Sequence, residues 1–350
     1  MTFDFAIFGS SPLALLLSAC LAGVHGKSVC RVGQPWSAWQ LPRRFDLAYM
    51  VATRPASWAQ LRQATTETTK LINSLGKGLV EKLDPLLIAE THASVEALAH
   101  LRASATGTGY TLEQAADRSL ASPAQAWRLR DIAALVRGKA EPALVTWGEC
   151  AGVQRVAHDS VTLRRDGTAR IRSATIEAEA TTSILCDDAA IAEWLDESGR
   201  ERLLRPVAAQ TIVTEPARPL AAPLVRYIDR GVTLGQPGKG GGVTAIVEGA
   251  EQSMARLGAC LAPQGPLRRA ADLVHTRFET LDGAPLVATA RGPKVQLVAG
   301  FGDTAVFFAP LLARHFAGVS TSDEAAFMAA HDVGRGNARQ AVADFMAEGL

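Results

Sequence analysis

The chain begins with two hydrophobic patterns in quick succession. Residues 3–8 (FDFAIF) form a largely apolar run of strand length, which predicts a buried strand. After the turn at 9–12, residues 13–23 form a longer apolar run that predicts a helix, because Pro12 suits a first helical position. Residues 28–32 then predict a second short strand. The start of the chain therefore predicts a strand–turn–helix–strand unit of about 30 residues.

The middle of the chain changes from helical to strand-like spacing. Within 57–136, apolar residues at helical spacing predict mostly helices, and Thr111 begins a sequence that resembles a capping box. From about residue 142, short alternating runs predict strands, with a hairpin turn at 165–168 (RDGT). The elements expected next are strands over 205–250, broken by a glycine-rich loop at 235–242, and a helix at 251–258.

The last part of the chain predicts the closing elements of the core. Residues 275–299 predict strands around an Asp-Gly turn, and a glycine-rich turn then leads into a helix over 305–317. The tail from Ser322 to Glu348 has an amphipathic helical pattern. Because strand–turn–helix units occur at both ends with a strand-rich segment between, we predict an α/β fold with a Rossmann-like domain interleaved with a strand-rich domain.

Composition excludes several classes of function. The chain has 350 residues, of which 48% are hydrophobic and 20% charged, as in ordinary globular proteins. A net charge of +1 argues against nucleic acid or an anionic membrane as partner. No apolar run has the roughly 18–20 residues that cross a bilayer. Five dispersed cysteines without a CxxC pair, and scattered histidines, argue against disulfides and metal sites and favour a reducing compartment.

The apolar run near the start permits a second interpretation. Residues 13–22 contain Leu17-Ser18-Ala19-Cys20, which resembles the cleavage box of a bacterial lipoprotein signal. Such a signal needs basic residues before its apolar run, whereas residues 1–11 contain Asp4 and no Lys or Arg. Export is therefore disfavoured, and we predict a cytoplasmic protein.

The turn after the first strand predicts a phosphate-binding site. A helix N-terminus offers unpaired N–H groups to a pyrophosphate, provided that small residues let it approach. Gly9, Ser11 and Ala14 occupy the three small positions of the G-x-G-x-x-G template. The second strand leads to Gly33, near Arg31, with no acidic residue to hold a ribose. Either the ribose is held in another way, or the fold has lost its nucleotide.

A second glycine-containing turn lies between a strand and a helix near the end of the chain. Backbone N–H groups at such a helix start would stabilise the negative charge of a reduced flavin ring. The alternative is a simple helix-start turn with no ligand. The turn consists of Gly300, Phe301, Gly302, Asp303 and Thr304.

Two C-terminal motifs are the most specific features of the sequence. One is an Arg-x-x-Thr-x-Asp-Gly-x-Pro sequence at 277–285, and the other is the turn and helix at 300–318. Together with residues 3–32, they resemble the D-amino-acid oxidase-like family of FAD-dependent oxidoreductases, which includes sarcosine and glycine oxidases. The chain departs from the family at 185–187, where Leu-Cys-Asp replaces a strand end of the form Ala-x-Gly.

The resemblance implies FAD lying extended between the two turns. Its pyrophosphate would lie over 9–14, its adenine near Val153 and its flavin beside 300–304. The expected FAD-binding residues are Gly9, Ser11, Pro12, Ala14, Arg31, Val153, Gly300, Phe301, Gly302, Asp303 and Thr304.

The resemblance also implies a division of the chain into domains. A discontinuous Rossmann-like FAD-binding domain would combine residues 1–75, 143–205 and 275–350. Residues 76–142 would form a helical insertion or cap, and residues 206–274 would form the sheet of the substrate domain.

The chemistry that the resemblance implies is oxidation of a small amine or amino acid. Hydride would pass from the carbon that bears a neutral amine to the flavin, and an arginine would clamp the substrate carboxylate. The expected catalytic residues are Arg277, Tyr227 and His275, with Arg226 and Lys239 as further candidates for the clamp. Each of these residues also has a purely structural interpretation.

Two hypotheses of function follow. The first is a FAD-dependent oxidoreductase that oxidises a C–N bond of a small amine or amino acid. The second is an accessory subunit of the same fold that has weakened or lost FAD binding, and that acts with a protein partner or in the maturation of another protein. The intact motif at 277–285 favours the first hypothesis. The lost glycines, the missing ribose acid and the altered strand end at 185–187 favour the second.

Overall fold

The structure is a computed structural model of the chain. The residues that it describes are 1–35, 37–49, 55–115, 124–174, 177–238, 240–249, 251–261, 268–290 and 292–332. The predictions for Lys239 and for the tail beyond residue 332 lie outside these residues.

The described residues contain both helices and strands, arranged in several sheets with helices packed against them, which confirms the predicted α/β class. The strands are β1 (Thr2–Phe8), β2 (Val29–Val32), β3 (Val80–Leu83), β4 (Leu86–Ala89), β5 (Leu112–Ala115), β6 (Gln125–Leu129), β7 (Ile132–Leu135), β8 (Gln154–Arg155), β9 (Ser160–Leu163), β10 (Ala169–Arg172), β11 (Glu177–Leu185), β12 (Leu204–Pro216), β13 (Leu224–Tyr227), β14 (Val232–Gly235), β15 (Gly242–Glu248), β16 (Arg269–Thr280), β17 (Leu286–Thr289) and β18 (Gln296–Ala299). The helices are α1 (Pro12–Gly23), α2 (Pro55–Leu75), α3 (His92–Gly107), α4 (Arg137–Cys150), α5 (Asp188–Trp194), α6 (Glu197–Glu201), α7 (Ser253–Leu261), α8 (Ala309–Ala317) and α9 (Ser322–Ala330), with a 3-10 helix at Gly302–Phe308.

The first sheet contains the strand–turn–helix–strand unit predicted at the start of the chain. Its strand order is β17-β18-β11-β1-β2-β8, with the β9–β10 hairpin attached to β11. β1 runs parallel to both β2 and β11, and Phe8 is paired with Leu185 at the carboxyl end. α1 is almost wholly buried and packs against α4 and α8. The parallel pairing therefore brings the turn after β1 next to the turn after β11.

The second sheet is mostly antiparallel and has the order β16-β12-β15-β14-β13-β4-β6-β5. Its longest pair joins β12 to β16, with Ala209 opposite both His275 and Glu248 of the two flanking strands. Because side chains alternate along a strand, His275, Arg277 and Glu279 share one face of β16. Arg277 and Glu279 of this face line the same cavity as Gly300, so the face is turned toward the first sheet.

The predicted hairpin turn at 165–168 is confirmed. It joins β9 to β10, and the backbone N–H of Arg164 donates to the Thr168 carbonyl at 2.9 Å. The Asp166 carboxylate accepts a hydrogen bond from the Thr168 backbone N–H at 3.0 Å, which is the expected role of Asp in a tight turn.

Two predictions of secondary structure in the middle of the chain are wrong. Described residues in 111–136 form β5, β6 and β7, so Thr111 precedes a strand instead of capping a helix. Pairing of β6 with β4 on one side and β5 on the other outweighs the local helical spacing. Conversely, the strands predicted from residue 142 begin only after α4. The spacing of buried Ala140, Leu144 and Gly148, four residues apart, is the helical signal that was missed.

These corrections change the character of the segment 76–142. The segment was predicted to be a helical insertion, but among its described residues only α3 and the start of α4 are helical. It contributes β4, β5 and β6 to the second sheet. The division of the chain into domains stays a prediction.

Candidate functional site

The first glycine-containing turn has the geometry of a helix start that small residues make accessible. Gly9 follows β1 with φ of +142°, a conformation that L side chains rarely adopt. Ser11 is the N-cap of α1, and its hydroxyl accepts from the Ala14 backbone N–H at 3.4 Å. Pro12 follows at the first helical position. The local arrangement predicted for residues 9–14 is therefore present.

A carboxylate of the chain itself lies against this helix start. Oδ2 of Asp187 accepts hydrogen bonds from the backbone N–H groups of Ser10 at 2.8 Å and Ser11 at 3.0 Å. Oδ1 accepts from the Ala190 N–H at 2.9 Å and thereby caps α5. One carboxylate thus joins the N-termini of two helices, where negative charge is favoured. The departure from the family pattern at 185–187 was the only sequence signal of this contact.

The second glycine-containing turn is packed closely against the end of β16. A Cβ at Gly300 would lie 2.8 Å from Thr280 Cγ2 and 3.0 Å from the Ala284 carbonyl oxygen, and Gly300 has φ of +72°. The Thr304 hydroxyl donates to the Phe301 carbonyl at 2.7 Å. The turn and the Asp-Gly motif at 281–284 therefore hold each other in place.

Three charged side chains of the second sheet face this turn. Glu248 Oε1 lies 3.0 Å from Arg277 Nη1 and 3.7 Å from Arg226 Nη2, and Arg226 Nη1 lies 3.6 Å from Asp303 Oδ2. Burial would raise the pKa of Glu248, but Arg277 and Arg226 outweigh burial and lower it. Burial would likewise lower the pKa of Arg226, but Tyr49, Glu248 and Asp303 outweigh it and raise it. Glu248 and Arg226 are consequently charged and paired at neutral pH.

His275 and Glu279 flank Arg277 on the same face of β16. The Thr211 hydroxyl donates to the Pro42 carbonyl at 2.5 Å and lies 3.2 Å from His275 Nε2, so His275 donates through Nε2. Burial, with Arg43, Arg277 and Arg44 nearby, lowers the pKa of His275 to about 4. Burial and Glu248 raise the pKa of Glu279, whose carboxylate accepts from Arg205 at 3.0 Å.

A segment at 42–49, here called the strap, crosses between the two sheets. The backbone N–H of Leu47 donates to the Asp303 carbonyl, and that of Ala48 donates to the Ala133 carbonyl, both at 2.8 Å. Arg44 donates to the Gly302 carbonyl at 3.1 Å and also forms an ion pair with Asp188. The strap therefore ties the second turn to the start of α5.

Asp46 is a buried acid of the strap, and its pKa is shifted. Burial raises the pKa of Asp46 to about 6, although Arg137 and Arg44 oppose the effect. Arg137 approaches Asp46 at 3.7 Å and also donates to Glu141 at 2.9 Å. The strap is thus held by ion pairs at both Arg44 and Asp46.

The space that these groups leave is small. The cavity between the two turns measures about 40 Å³, whereas ligand sites for drug-sized molecules measure roughly 300–1,000 Å³. Its walls include Arg44, Asp187, Asp188, Arg277, Glu279 and Gly300.

FAD does not fit the site as the chain arranges it. The N–H groups that would receive a phosphate already bind the Asp187 carboxylate, and a phosphate beside this carboxylate would be repelled. A Cβ at Gly9 would lie 2.6 Å from Asp187 Oδ2, so the space over the glycine is taken. At about 40 Å³ the cavity is smaller than a flavin ring, which would enter only if the walls moved apart. No acidic residue follows β2, where Gly33 and Gln34 continue the chain.

The cavity between the two turns and the ion-paired Arg226, Glu248 and Arg277 beside it are here called the cleft. Several predicted residues lie away from it. Tyr227 is on the opposite face of β13 from Arg226, and its hydroxyl donates to the Cys260 carbonyl at 3.3 Å on the α7 side. Arg31 and Val153 line a separate cavity of about 20 Å³ beside α1 and α4. Burial, and then Arg155, lower the pKa of Arg31. The structure therefore brings Arg226 and Arg277 together with the second turn, and places His275 beside Arg277 on β16, but it does not bring Tyr227, Arg31 or Val153 there.

Two further findings concern the described part of the chain. Within it, no group of three or more His, Cys, Asp or Glu side chains is placed to hold a metal ion. Within the same residues, none of the helices combines the length and the apolar character that crossing a bilayer requires.

Comparison with known proteins identifies the fold. No family model matches the chain, and no curated protein matches its sequence. Among solved structures, glycine oxidase from Geobacillus kaustophilus is similar, with a TM-score of 0.67 and 14% identity over 92% of this chain and 96% of that chain. L-proline dehydrogenase from P. horikoshii has a TM-score of 0.67 and 11% identity over 93% of this chain and 96% of that one. L-amino acid deaminase from Proteus myxofaciens in complex with anthranilate has a TM-score of 0.69 and 11% identity over 95% and 93%.

At identities this low, the likeness is one of fold. The chain has the fold of the D-amino-acid oxidase-like FAD oxidoreductases that its motifs resemble, over nearly its full length.

Proposed function

We propose that the chain is a non-catalytic accessory protein built on the fold of FAD-dependent amino-acid oxidoreductases. In this proposal it does not retain FAD, and it acts with a protein partner or in the maturation of another protein. The observation that carries the proposal is the closed cleft, in which Arg226, Glu248 and Arg277 pair with one another beside the second turn.

The ion pairs in the cleft occupy the two arginines that a substrate carboxylate would need. An amino-acid substrate requires a free guanidinium to bind its carboxylate. Here Arg277 donates to Glu248 at 3.0 Å, and Arg226 lies between Glu248 and Asp303. A substrate that displaced Glu248 would leave a largely buried carboxylate without its partners, which is energetically unfavourable. The cleft thus supports a structural role for these arginines better than a catalytic one.

The proposal is tested by titrating the purified protein with FAD in a calorimeter. We expect no heat above dilution. We also expect no oxidation of a panel of small amines and amino acids, with either oxygen or an artificial electron acceptor. Stoichiometric uptake of FAD, or turnover of any amine, would overturn the proposal.

A FAD-dependent oxidoreductase acting on a C–N bond is the second candidate. It is favoured by Arg277, which lies on the cleft face of β16 at the start of the motif shared with the family. This candidate requires the strap and Asp187 to move away when FAD binds. It predicts a yellow protein that a small amine or amino acid bleaches under anaerobic conditions.

We further propose that the protein works in the cytoplasm. All five cysteines are free thiols, and four of them are buried, as is usual in a reducing compartment. Measurement of the protein in cell fractions tests this proposal, and recovery in an exported fraction would contradict it.

A further inference from the structure

The contact between Asp187 and α1 resembles the way in which helix N-termini bind phosphate. A phosphate at such a site accepts hydrogen bonds from successive backbone N–H groups and gains from the helix dipole. Asp187 Oδ2 does the same with the N–H groups of Ser10 and Ser11, at 2.8 and 3.0 Å. The carboxylate therefore supplies the negative charge and the acceptor atom that this helix start otherwise takes from a ligand.

The surroundings keep Asp187 in this position. The same carboxylate caps α5 through the Ala190 N–H at 2.9 Å, so its direction is set by two helices at once. The adjacent Asp188 points elsewhere and pairs with Arg44 of the strap. Gly9 is needed for the contact, because a Cβ there would come within 2.6 Å of Asp187 Oδ2. The absence of a side chain at Gly9, which would give a phosphate room to approach, here gives room to the Asp187 carboxylate.

We propose that Asp187 is the residue that excludes phosphate-containing ligands from the α1 N-terminus, by occupying the phosphate position with its own carboxylate. The inference deepens the proposed function and rests on it. Asp187, which follows β11, then satisfies the N–H groups of the first turn, so that no cofactor is needed to accept their hydrogen bonds. The class of ligand excluded is the pyrophosphate of a dinucleotide.

The test is a gain of anion binding on substitution of Asp187. The probe is inorganic pyrophosphate, which carries the charge of the excluded group without the rest of a dinucleotide. We expect Asp187→Ala to bind pyrophosphate by calorimetry, and its Tm to rise by about 2 °C at tenfold excess over the dissociation constant. The wild-type protein should show neither effect.

Asp196→Ala is the matched control variant. Asp196 caps α6 through the Gly199 N–H at 2.9 Å and lies in no contact with the first turn, so its loss removes a helix cap without opening the site. Its pyrophosphate response should equal that of the wild type. If Asp187→Ala does not fold, Asp187→Ser carries the same test, because serine can still cap α5 while it removes the charge and leaves the space against the first turn open.

The outcomes separate the inference from the proposed function. Binding by the Asp187 variants alone supports both. If neither the wild type nor a folded Asp187 variant binds pyrophosphate, the role of Asp187 is overturned while the accessory function stands. If the wild type itself binds pyrophosphate and FAD, both are overturned.

Discussion

At the scale of single residues, Glu248 is the charge on which the closed cleft depends. It bridges Arg226 and Arg277, and each of these three side chains is less than one fifth exposed. Removing one partner of a buried ion pair costs far more than the pair itself contributes, because the remaining charge stays desolvated. Removing Glu248 should therefore cost more free energy of unfolding than its ion pairs with the two arginines contribute.

Substitution Glu248→Gln should accordingly be strongly destabilising. We expect a loss of about 3–5 kcal/mol in the free energy of unfolding, measured by urea denaturation followed by circular dichroism. Glu177→Gln is the control, because Glu177 pairs with Arg170 and Arg172 on the exposed β10–β11 surface and should matter little. Equal effects of the two substitutions would contradict the account of the cleft.

His275 makes a separate prediction about pH. Its pKa is lowered from 6.5 to about 4, so between these values the unfolded chain binds a proton that the folded protein does not. Stability from this group is therefore present above pH 6.5 and is lost as the pH falls toward 4. Between pH 7.5 and pH 5, wild type should lose about 2 kcal/mol more than His275→Gln in urea denaturation. Parallel pH profiles of the two proteins would show that His275 is not responsible.

Some of these residues can be predicted from the sequence and others cannot, because only some of them belong to local motifs. Arg277 and Gly9 were found because short local motifs contain them. Asp187 and Glu248 were missed, because their roles depend on partners far away in the chain. Asp187 contacts Ser10 across 177 sequence positions, a relation that only the parallel pairing of β1 with β11 creates.

At the scale of secondary structure, the strap is the element that closes the cleft. Its amides at Leu47 and Ala48 are bonded to the second turn and to β7, while Arg44 anchors it to Asp188 and Gly302. No hydrophobic periodicity predicts such a segment, since its structure comes from contacts to other elements. The opposite holds for β1, α1 and β2, whose local patterns predicted them correctly.

Loss of the Arg44 anchor should loosen the strap selectively. In Arg44→Ala we expect faster hydrogen exchange at the Leu47 and Ala48 amides and unchanged exchange within α1, because opening would be local. Arg230→Ala removes an ion pair to Glu90 elsewhere in the second sheet and serves as the control. Uniformly faster exchange throughout Arg44→Ala would instead indicate global destabilisation.

At the scale of the whole molecule, the chain shares its overall fold with solved structures, whereas the cavity between its two turns is lined by charged side chains of the chain itself. The fold is similar to that of glycine oxidase and of L-proline dehydrogenase over more than nine tenths of the chain. The cavity between the two turns measures about 40 Å³. The sequence motifs predicted the architecture, whereas the filling of the cleft follows from tertiary contacts that no motif records.

The absorption spectrum of the purified protein tests the central claim most directly. The account predicts a colourless protein with no flavin absorbance, which gains none after incubation with excess FAD and gel filtration. A yellow protein that releases one FAD per chain on denaturation would contradict it.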